Sequence, residues 1–488
     1  MISVRFLLSL TGILIFTLPA SSNYWMSGNQ LTVCGEKVLD LLSHSDEEGL
    51  DPKNYNYAIE AVQAAQQGGS SGAAENALTS AMTKYISDVS FNPKRAGRET
   101  VMSTQRTNAR DVVSKGMASG SCDWLSQPEP AYTEYKQLKL LYRKYAHLQS
   151  MGPWPQVDIN VKLPPGDRDS NIPAVREILG RLGDLPKGRM GSRSNHYGDD
   201  LVDAVKKFQK RHALWPNGLI DSKTARELNK TPAERLRQIR VTMERWRWMP
   251  RNPGYRYIIV NVAGYHLEAF QGGRLVMSSP LIVGADYRPT PVFKTRITSV
   301  KFNPSWNVPF KLAVEDHLPK LKQNPGYMYQ HDMVITQGAG GSVNPYQINW
   351  HKYSKAHFPF SIRRRPGPNN PLGKIRFTSH NPYEIYLHSN SEQYKYLFDY
   401  PRRDFSSGCI RVKNIVEFTH YVFNEPGKWT HERIIAHMQG TVTEEVKIKQ
   451  PIPTYVTYCT VWTDEKGVPH FMPDVYGKDR HVGSRIQS

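Results

Sequence analysis

The sequence predicts a multidomain α+β protein: an N-terminal helical scaffold domain, a three-helix unit, and a mostly β domain with a lid-like insertion. Length is the first observation. The chain has 488 residues, enough for about three domains at ~150 residues each. Periodicity is the second: apolar residues recur at helical spacing up to about residue 249 and at strand spacing from residue 255. Composition is the third. Hydrophobic residues make up 39% and charged residues 22%, with 26 Tyr, 16 Phe and 10 Trp as core material, which excludes a membrane-protein balance and wholesale disorder. Four cysteines over this length staple too little for a disulfide-framework miniprotein. Lys+Arg 63 against Asp+Glu 44 gives a formal net charge of +19. That excess suits nucleic acid, anionic lipid or an acidic polymer, and composition does not choose among them.

Residues 1–22 place one cation, Arg5, before an apolar stretch from Phe6 to Leu18, then the small residues Ala20, Ser21 and Ser22. This is a signal-peptide pattern, too short for a comfortable membrane span, with cleavage expected after Ala20 or Ser22. An uncleaved anchor is the alternative. No later segment approaches ~20 apolar residues, so the mature protein is expected to be soluble. Export removes nucleic acid as a partner and points the charge toward an extracytoplasmic polyanion.

Residues 23–165 form the expected scaffold domain. Residues 58–67, 73–86 and 135–148 are amphipathic at helical spacing, with a flexible break at 68–72 and a linker at 163–169. No catalytic constellation stands out there. Cys34 and Cys122 fall in this domain and are candidates to pair in an oxidising compartment.

Residues 171–230 form a compact helical unit. Val175, Ile178, Leu179 and Leu182 mark one helix face, and Leu201, Val202, Val205 and Phe208 a second. The turn Trp215-Pro-Asn-Gly-Leu-Ile-Asp221 gives Gly218 the positive φ that a tight turn asks for, and 224–228 begins a third helix. This ordered run resembles the three-helix peptidoglycan-binding domain of wall enzymes. A connecting helix over 231–250 follows, stopped by Pro250, Pro253 and Gly254.

The β domain is expected over 255–445. Strands are predicted at 256–262, at 265–270 and 274–278 around a Gln271-Gly-Gly273 turn, and near 281–283, 295–302, 374–377 and 384–387. The pattern breaks at about 310–371, which reads as an insertion with two short helices. Residues 446–488 read as a strand-containing tail, with Cys459 packed in it as a small hydrophobe.

Two runs carry chemistry: Ile385-Tyr-Leu-His388 and Ser406-Ser-Gly-Cys-Ile-Arg411. A thiol needs a base to become a thiolate at neutral pH, and His is the usual one. Small residues beside the Cys let backbone N–H groups reach an oxyanion. On chemistry alone, a disulfide partner and a structural His remain open. The runs are similar, however, to the signature of L,D-transpeptidases of the YkuD type, above all the large periplasmic class typified by YcbB. Thr290-Pro-Val-Phe293, Trp306-Asn-Val-Pro309, Asn370-Pro-Leu-Gly373 and Phe471-Met-Pro-Asp-Val-Tyr-Gly477 also resemble that class. Smaller relatives carry His where this chain has Ser407.

The resemblance implies a periplasmic enzyme that forms 3→3 peptidoglycan cross-links from a tetrapeptide stem through a Cys thioester. Cys409 is then the nucleophile and His388 the proton donor and acceptor, with the backbone at Ser407 and Gly408 holding the oxyanion. Tyr386, Ser389, Ser406, Arg411 and Trp306 are the expected substrate-binding residues. Tyr386 shares a strand face with His388 by period two, and Arg411 suits a stem carboxylate. The clusters at 363–365 and at Arg402-Arg403 read as carboxylate attractors or as solvated faces. No metal or cofactor is called for: there is no His-Glu-x-x-His, no Cys-x-x-Cys and no clustered Asp loop. Two rivals stand beside this reading: an L,D-carboxypeptidase or D-amino-acid exchange enzyme using the same Cys, and a non-catalytic wall-binding scaffold.

Overall fold

The computed structural model describes residues 24–97, 102, 107–338 and 341–486; the expected signal peptide at 1–22 lies outside them. Two compact units emerge, one of residues up to Phe91 plus the segment ending at Glu129, the other chiefly from Pro130 onward. Among the described residues, no helix is long and apolar enough to cross a membrane.

The first unit is helical: α1 (Val33–Ser43), α2 (Asn56–Gln66), α3 (Ser71–Val89) and α4 (Ala109–Ala118). Ser70 caps α3 by accepting from the Ala73 amide at 3.2 Å. Ala74, Leu78, Ala81, Met82, Tyr85, Ile86 and Val89 then recur at three- and four-residue steps and are buried. They pack with Val38, Leu42 and Val62 in one core. Cys34 and Cys122 form a disulfide across 88 residues, with Cα atoms 5.4 Å apart. Closing so long a loop removes denatured-state entropy, a stabilisation of about 2–5 kcal/mol. The double variant Cys34→Ser/Cys122→Ser should therefore unfold this unit first, seen as early proteolysis below residue 130 while the remainder resists. Equal protease resistance of both forms would count against a structural role for the bridge.

The expected single domain over 23–165 is corrected. Helix α5 (Thr133–Ser150) belongs to the second unit. Its buried stripe, Tyr135, Leu138, Leu141, Tyr142, Tyr145 and Leu148, joins the core of the helices that follow. Amphipathic spacing says that a helix has a buried face, not which neighbour covers it.

Those helices are α6 (Ile172–Leu182), α7 (Asp199–Arg211) and α8 (Ser222–Leu228), the expected three-helix unit. Gly218 has φ +79°, and its amide donates to Gln209 Oε1 at 3.0 Å, so the turn is tied back to α7. The connecting helix α9 (Pro232–Arg247) starts with a capping box between Thr231 and Glu234 and has Pro232 in its first turn.

The β domain opens with β1 (Arg256–Asn261), β2 (His266–Gln271), β3 (Arg274–Gly284) and β4 (Phe293–Phe302). The insertion follows, with β5 (Trp306–Asn307), β6 (Met333–Gln337) and β7 (Phe360–Arg364) in their own sheet, order β5-β7-β6. It has its own core around Val314, Leu318, Leu321, Met333, Trp350, Phe360 and Ile362. The chain then returns through β8 (Ile375–Ser379), β9 (Leu387–His388), β10 (Asp404–Ser406), β11 (Ile410–Val412) and β12 (Glu444–Thr457). The large sheet runs β10-β3-β11-β9-β8-β4-β12-β1-β2, and β2 also pairs β3, so the ladder closes on itself with β10 on its flank.

Two strand expectations change. The strand expected at 384–387 shrinks to Leu387–His388, because Glu384 turns with φ +54°. Residues 446–488 are not an appended tail: β12 lies inside the sheet, antiparallel to β4 and parallel to β1. Pro451 and Pro453 break its sequence signature, and the pairing absorbs them through a register shift between Lys447 and Ile452.

Candidate active site

Strands β9 and β11 run parallel, with Leu387 opposite Ile410 and His388 opposite Arg411. The amide of Ile410 donates to the Tyr386 carbonyl at 3.0 Å, which extends the pairing to Tyr386 and Cys409. Leu387 and Ile410 point into the apolar core. By alternation, His388, Cys409 and Arg411 share the other face. That face floors a cavity of about 570 Å³, lined also by Trp306, Phe310 and Asp316 of the insertion side and by Leu372. Register thus joins the two runs that the sequence singled out.

Burial lowers the His388 pKa first and the Arg411 cation second, to about 3, against the raising effect of the Ser389 and Leu372 carbonyls. The imidazole is neutral at physiological pH. Its Nδ1 stands 2.6 Å from the Ser389 carbonyl oxygen, which only accepts. The ring proton therefore sits on Nδ1, and Nε2 carries the lone pair. For Cys409, burial raises the thiol pKa, against the Tyr386 amide and the Arg411 and Arg376 cations, which favour the thiolate. The resting sulfur is therefore S–H, in the cavity that the neutral His388 ring also lines.

The backbone around the thiol is tightly held. Gly408 has φ +115°, and a Cβ there would lie 3.0 Å from Ile385 Cδ1. Its amide, expected as an oxyanion donor, instead donates to Ser406 Oγ at 3.1 Å, and that hydroxyl donates to the Cys409 carbonyl at 2.6 Å. The oxyanion role of Gly408 is thus corrected, and Ser406 is a brace of the loop. The amides of Ser407 and Cys409 have no acceptor among the described residues. Ser407 Oγ accepts from Arg288 Nη1 at 3.3 Å, and Arg288 also grips Asp316 of the insertion at 2.6 and 2.7 Å.

The remaining expected residues divide. Trp306 and Arg411 line the cavity. Arg411 donates to Asn390 Oδ1 at 3.2 Å, and its buried Nε has no hydrogen-bond partner. Tyr386 does not present its ring to the cavity: the Arg376 guanidinium lies over it at 4.6 Å. Ser389 is corrected too. Its hydroxyl accepts from the amides of Lys374 and Ile375 at 2.7 and 3.0 Å and donates to the Leu372 carbonyl at 3.2 Å, leaving nothing for a substrate. Arg402 pairs with Asp404, and Arg403 donates to the carbonyls of Leu281, Tyr400 and Tyr265, so both brace the loop that precedes the thiol. Cys459 is buried, with its pKa pushed up to about 12. Among the described residues, no group of three or more His, Cys, Asp or Glu stands ready to hold a metal ion.

Sequence reasoning missed Arg288 and Leu372. The only signal for Arg288 was its place in Arg288-Pro-Thr-Pro291, where two prolines stiffen a short loop.

Residues 255–425 match the family described as the L,D-transpeptidase catalytic domain, YkuD. Residues 20–140 match the family described as Scaffold domain, and residues 168–228 the one described as "Putative peptidoglycan binding domain". A Haemophilus influenzae protein named "Putative L,D-transpeptidase" is 33% identical over 225 residues, covering 46% of this chain and 45% of that protein. The match therefore spans under half of that relative's length. Among solved structures, an Ldtfm–avibactam carbamoyl enzyme is 12% identical with a TM-score of 0.22, covering 43% of this chain and 51% of that one. An L,D-transpeptidase from Xylanimonas cellulosilytica is 12% identical with a TM-score of 0.20, covering 63% of this chain and all of that one.

Proposed function

We propose that this chain, which carries a YkuD L,D-transpeptidase catalytic domain, a peptidoglycan-binding domain and an N-terminal scaffold domain, is a periplasmic L,D-transpeptidase that forms 3→3 peptidoglycan cross-links. The observation that carries it is His388 and Cys409 on one face of paired parallel strands, opening into a cavity with the Arg411 cation in its wall.

In acylation, Cys409 Sγ attacks the carbonyl of the third residue of a tetrapeptide stem. The sulfur–carbon bond forms while the thiol proton moves to His388 Nε2. The Ser407 and Cys409 amides are the free donors for the oxyanion. The carbon–nitrogen bond then breaks, and His388 returns the proton to the departing D-alanine amine. In the second half, an amine of another stem attacks the thioester, His388 takes its proton, and the sulfur leaves and is reprotonated. A neutral ring with a pKa near 3 holds a proton only briefly, which suits a relay. Arg411, in the cavity wall, is the cation that would attract a stem carboxylate. The Cys34–Cys122 disulfide supports an oxidising, extracytoplasmic location.

Incubation of the purified chain with disaccharide-tetrapeptide muropeptides tests this. Mass spectrometry should find cross-linked dimers and released D-alanine. Tripeptides without dimers would mean carboxypeptidation, exchanged termini would mean D-amino-acid exchange, and unchanged substrate would sink the enzymatic reading.

A further inference from the structure

The loop that joins β3 to β4 also holds the residue before the nucleophile. Thr290 Oγ1 and the Gly408 carbonyl oxygen lie 2.7 Å apart, buried. The same hydroxyl accepts from the Gly284 amide at 2.9 Å. A hydroxyl has one proton, and an amide can only donate, so the Thr290 proton goes to Gly408. Thr290 is itself fixed from the far end of the chain. The Tyr476 hydroxyl donates to the Gly284 carbonyl at 2.5 Å and accepts from the Thr290 amide at 3.3 Å, closing the loop at both ends. The Tyr476 amide in turn donates to the Tyr458 hydroxyl at 3.0 Å, next to β12.

The Gly408 carbonyl and the Cys409 amide belong to one peptide plane, and no peptide bond among the described residues is cis. In a trans plane the two groups point in opposite directions. Gripping the Gly408 oxygen therefore fixes the Cys409 N–H in the opposite direction, at a residue that lines the cavity. The preceding plane is pinned separately, through Ser406 Oγ on the Gly408 amide. At a glycine with φ +115°, these two planes are free to rotate unless something holds them.

We propose that Thr290, locked by Tyr476, is a positioning residue that aims the Cys409 amide at the reacting carbonyl's oxyanion. The proposal rests on the acyl-transfer reading above and adds a residue to it. It separates two reactions of one sulfur. Acylation passes through a tetrahedral oxyanion and needs the amide. Alkylation by iodoacetamide displaces iodide at a saturated carbon and forms no oxyanion.

Thr290→Val keeps the shape and removes the hydroxyl. Its acylation by a carbapenem, followed by intact mass, should slow roughly 10- to 100-fold, since one lost oxyanion donor costs about 10²–10³ and a misaimed one less. Alkylation of Cys409 should stay within about twofold of the parent. Thr290→Ser restores the donor and should recover most of the acylation rate, and Tyr476→Phe should show the same selective loss in weaker form. For muropeptide substrate the loss should fall on kcat with KM little changed. Equal loss of acylation and alkylation in Thr290→Val and Tyr476→Phe, or no loss in either, overturns the proposal. Should Thr290→Val not fold, Thr290→Ser and Tyr476→Phe decide it by the same ratio. If instead the parent chain acylates but Cys409→Ala does so equally well, the failure lies in the nucleophile and not in Thr290.

Discussion

On the proposed acyl-transfer reading, Cys409→Ala should abolish transpeptidation, by roughly 10⁴-fold or more, and should form none of the covalent carbapenem adduct expected of the parent in intact-mass spectra. A missing nucleophile leaves only binding and oxyanion contacts, which do not form a thioester. The cysteine inventory makes the result clean. Cys34 and Cys122 are bonded to each other, and Cys459 is buried with its thiol pKa near 12. Cys409 is the partly exposed free thiol of the four cysteines. A thiol reagent should therefore label about one sulfur in the native parent, none in native Cys409→Ala, and two in the parent unfolded without reductant. An adduct that persists in Cys409→Ala would place the reactive group elsewhere. Two labelled sulfurs in the native parent would show that Cys459 is reachable.

Much of the site was legible because it is local. The runs at 385–388 and 406–411 each hold their chemistry within a few residues, and a single parallel pairing, Leu387 with Ile410, brings them together. The three-helix unit was legible for the same reason: periodicity and the Gly218 turn lie within 60 residues. What the sequence hid is nonlocal. Helix α5 shows its apolar stripe but not that the stripe packs with α9 rather than with α1 to α4. Strand β12 reads weakly because two prolines and several charges interrupt it, yet partners on both sides hold it in the sheet. Ser389 looks like a polar residue next to a catalytic His; only the fold shows its hydroxyl taken up by three backbone groups. Arg288 and Tyr476 lie 121 and 67 residues from the thiol, and the short runs that hold them resemble the family without showing that they reach it.

The charge of +19 likewise has a local and a nonlocal part. Several arginines that looked available are spent on structure. Arg402 and Arg403 brace the loop before Ser406, and Arg288 ties that loop's neighbour to Asp316 and Glu315 of the insertion. Arg411 and Arg376 differ, because both favour the Cys409 thiolate and disfavour protonated His388. Their fields act in opposite directions on the two ends of a proton transfer: they help the thiol lose its proton and hinder the ring from keeping it. Burial adds to the resistance at both ends. The resting pair is held neutral, and in the proposed acylation the proton would move only as the sulfur–carbon bond forms, when the charge appears on the carbonyl oxygen.

That arrangement fixes the pH dependence and the outcome for His388→Gln. With the His388 pKa near 3 and the thiol above its ordinary value near 9, the reactive S–H and imidazole forms both dominate from pH 5 to 8. Carbapenem acylation of the parent should be flat across that range, because kcat/KM reports ionisations of the free enzyme. The glutamine variant has no base. Its acylation should fall by about 10²–10⁴-fold at pH 7, and the remainder should run through the thiolate alone. That fraction grows about tenfold per pH unit below the thiol pKa, so the variant's rate should climb steadily from pH 5 to 8 while the parent's does not. Linkage sets the lower limit of the experiment. The unfolded chain protonates His388 near 6.5 and the folded chain only near 3, so stability is whole above 6.5 and is lost as the pH falls toward 3. Rates are read from pH 5 upward for that reason. An acid limb near pH 6 to 7 in the parent profile would mean an imidazole of ordinary pKa, and iodoacetamide alkylation already pH-independent at pH 5 would mean a preformed thiolate–imidazolium pair. The burial of His388 and the direction of the Cys409 shift both point to the flat profile.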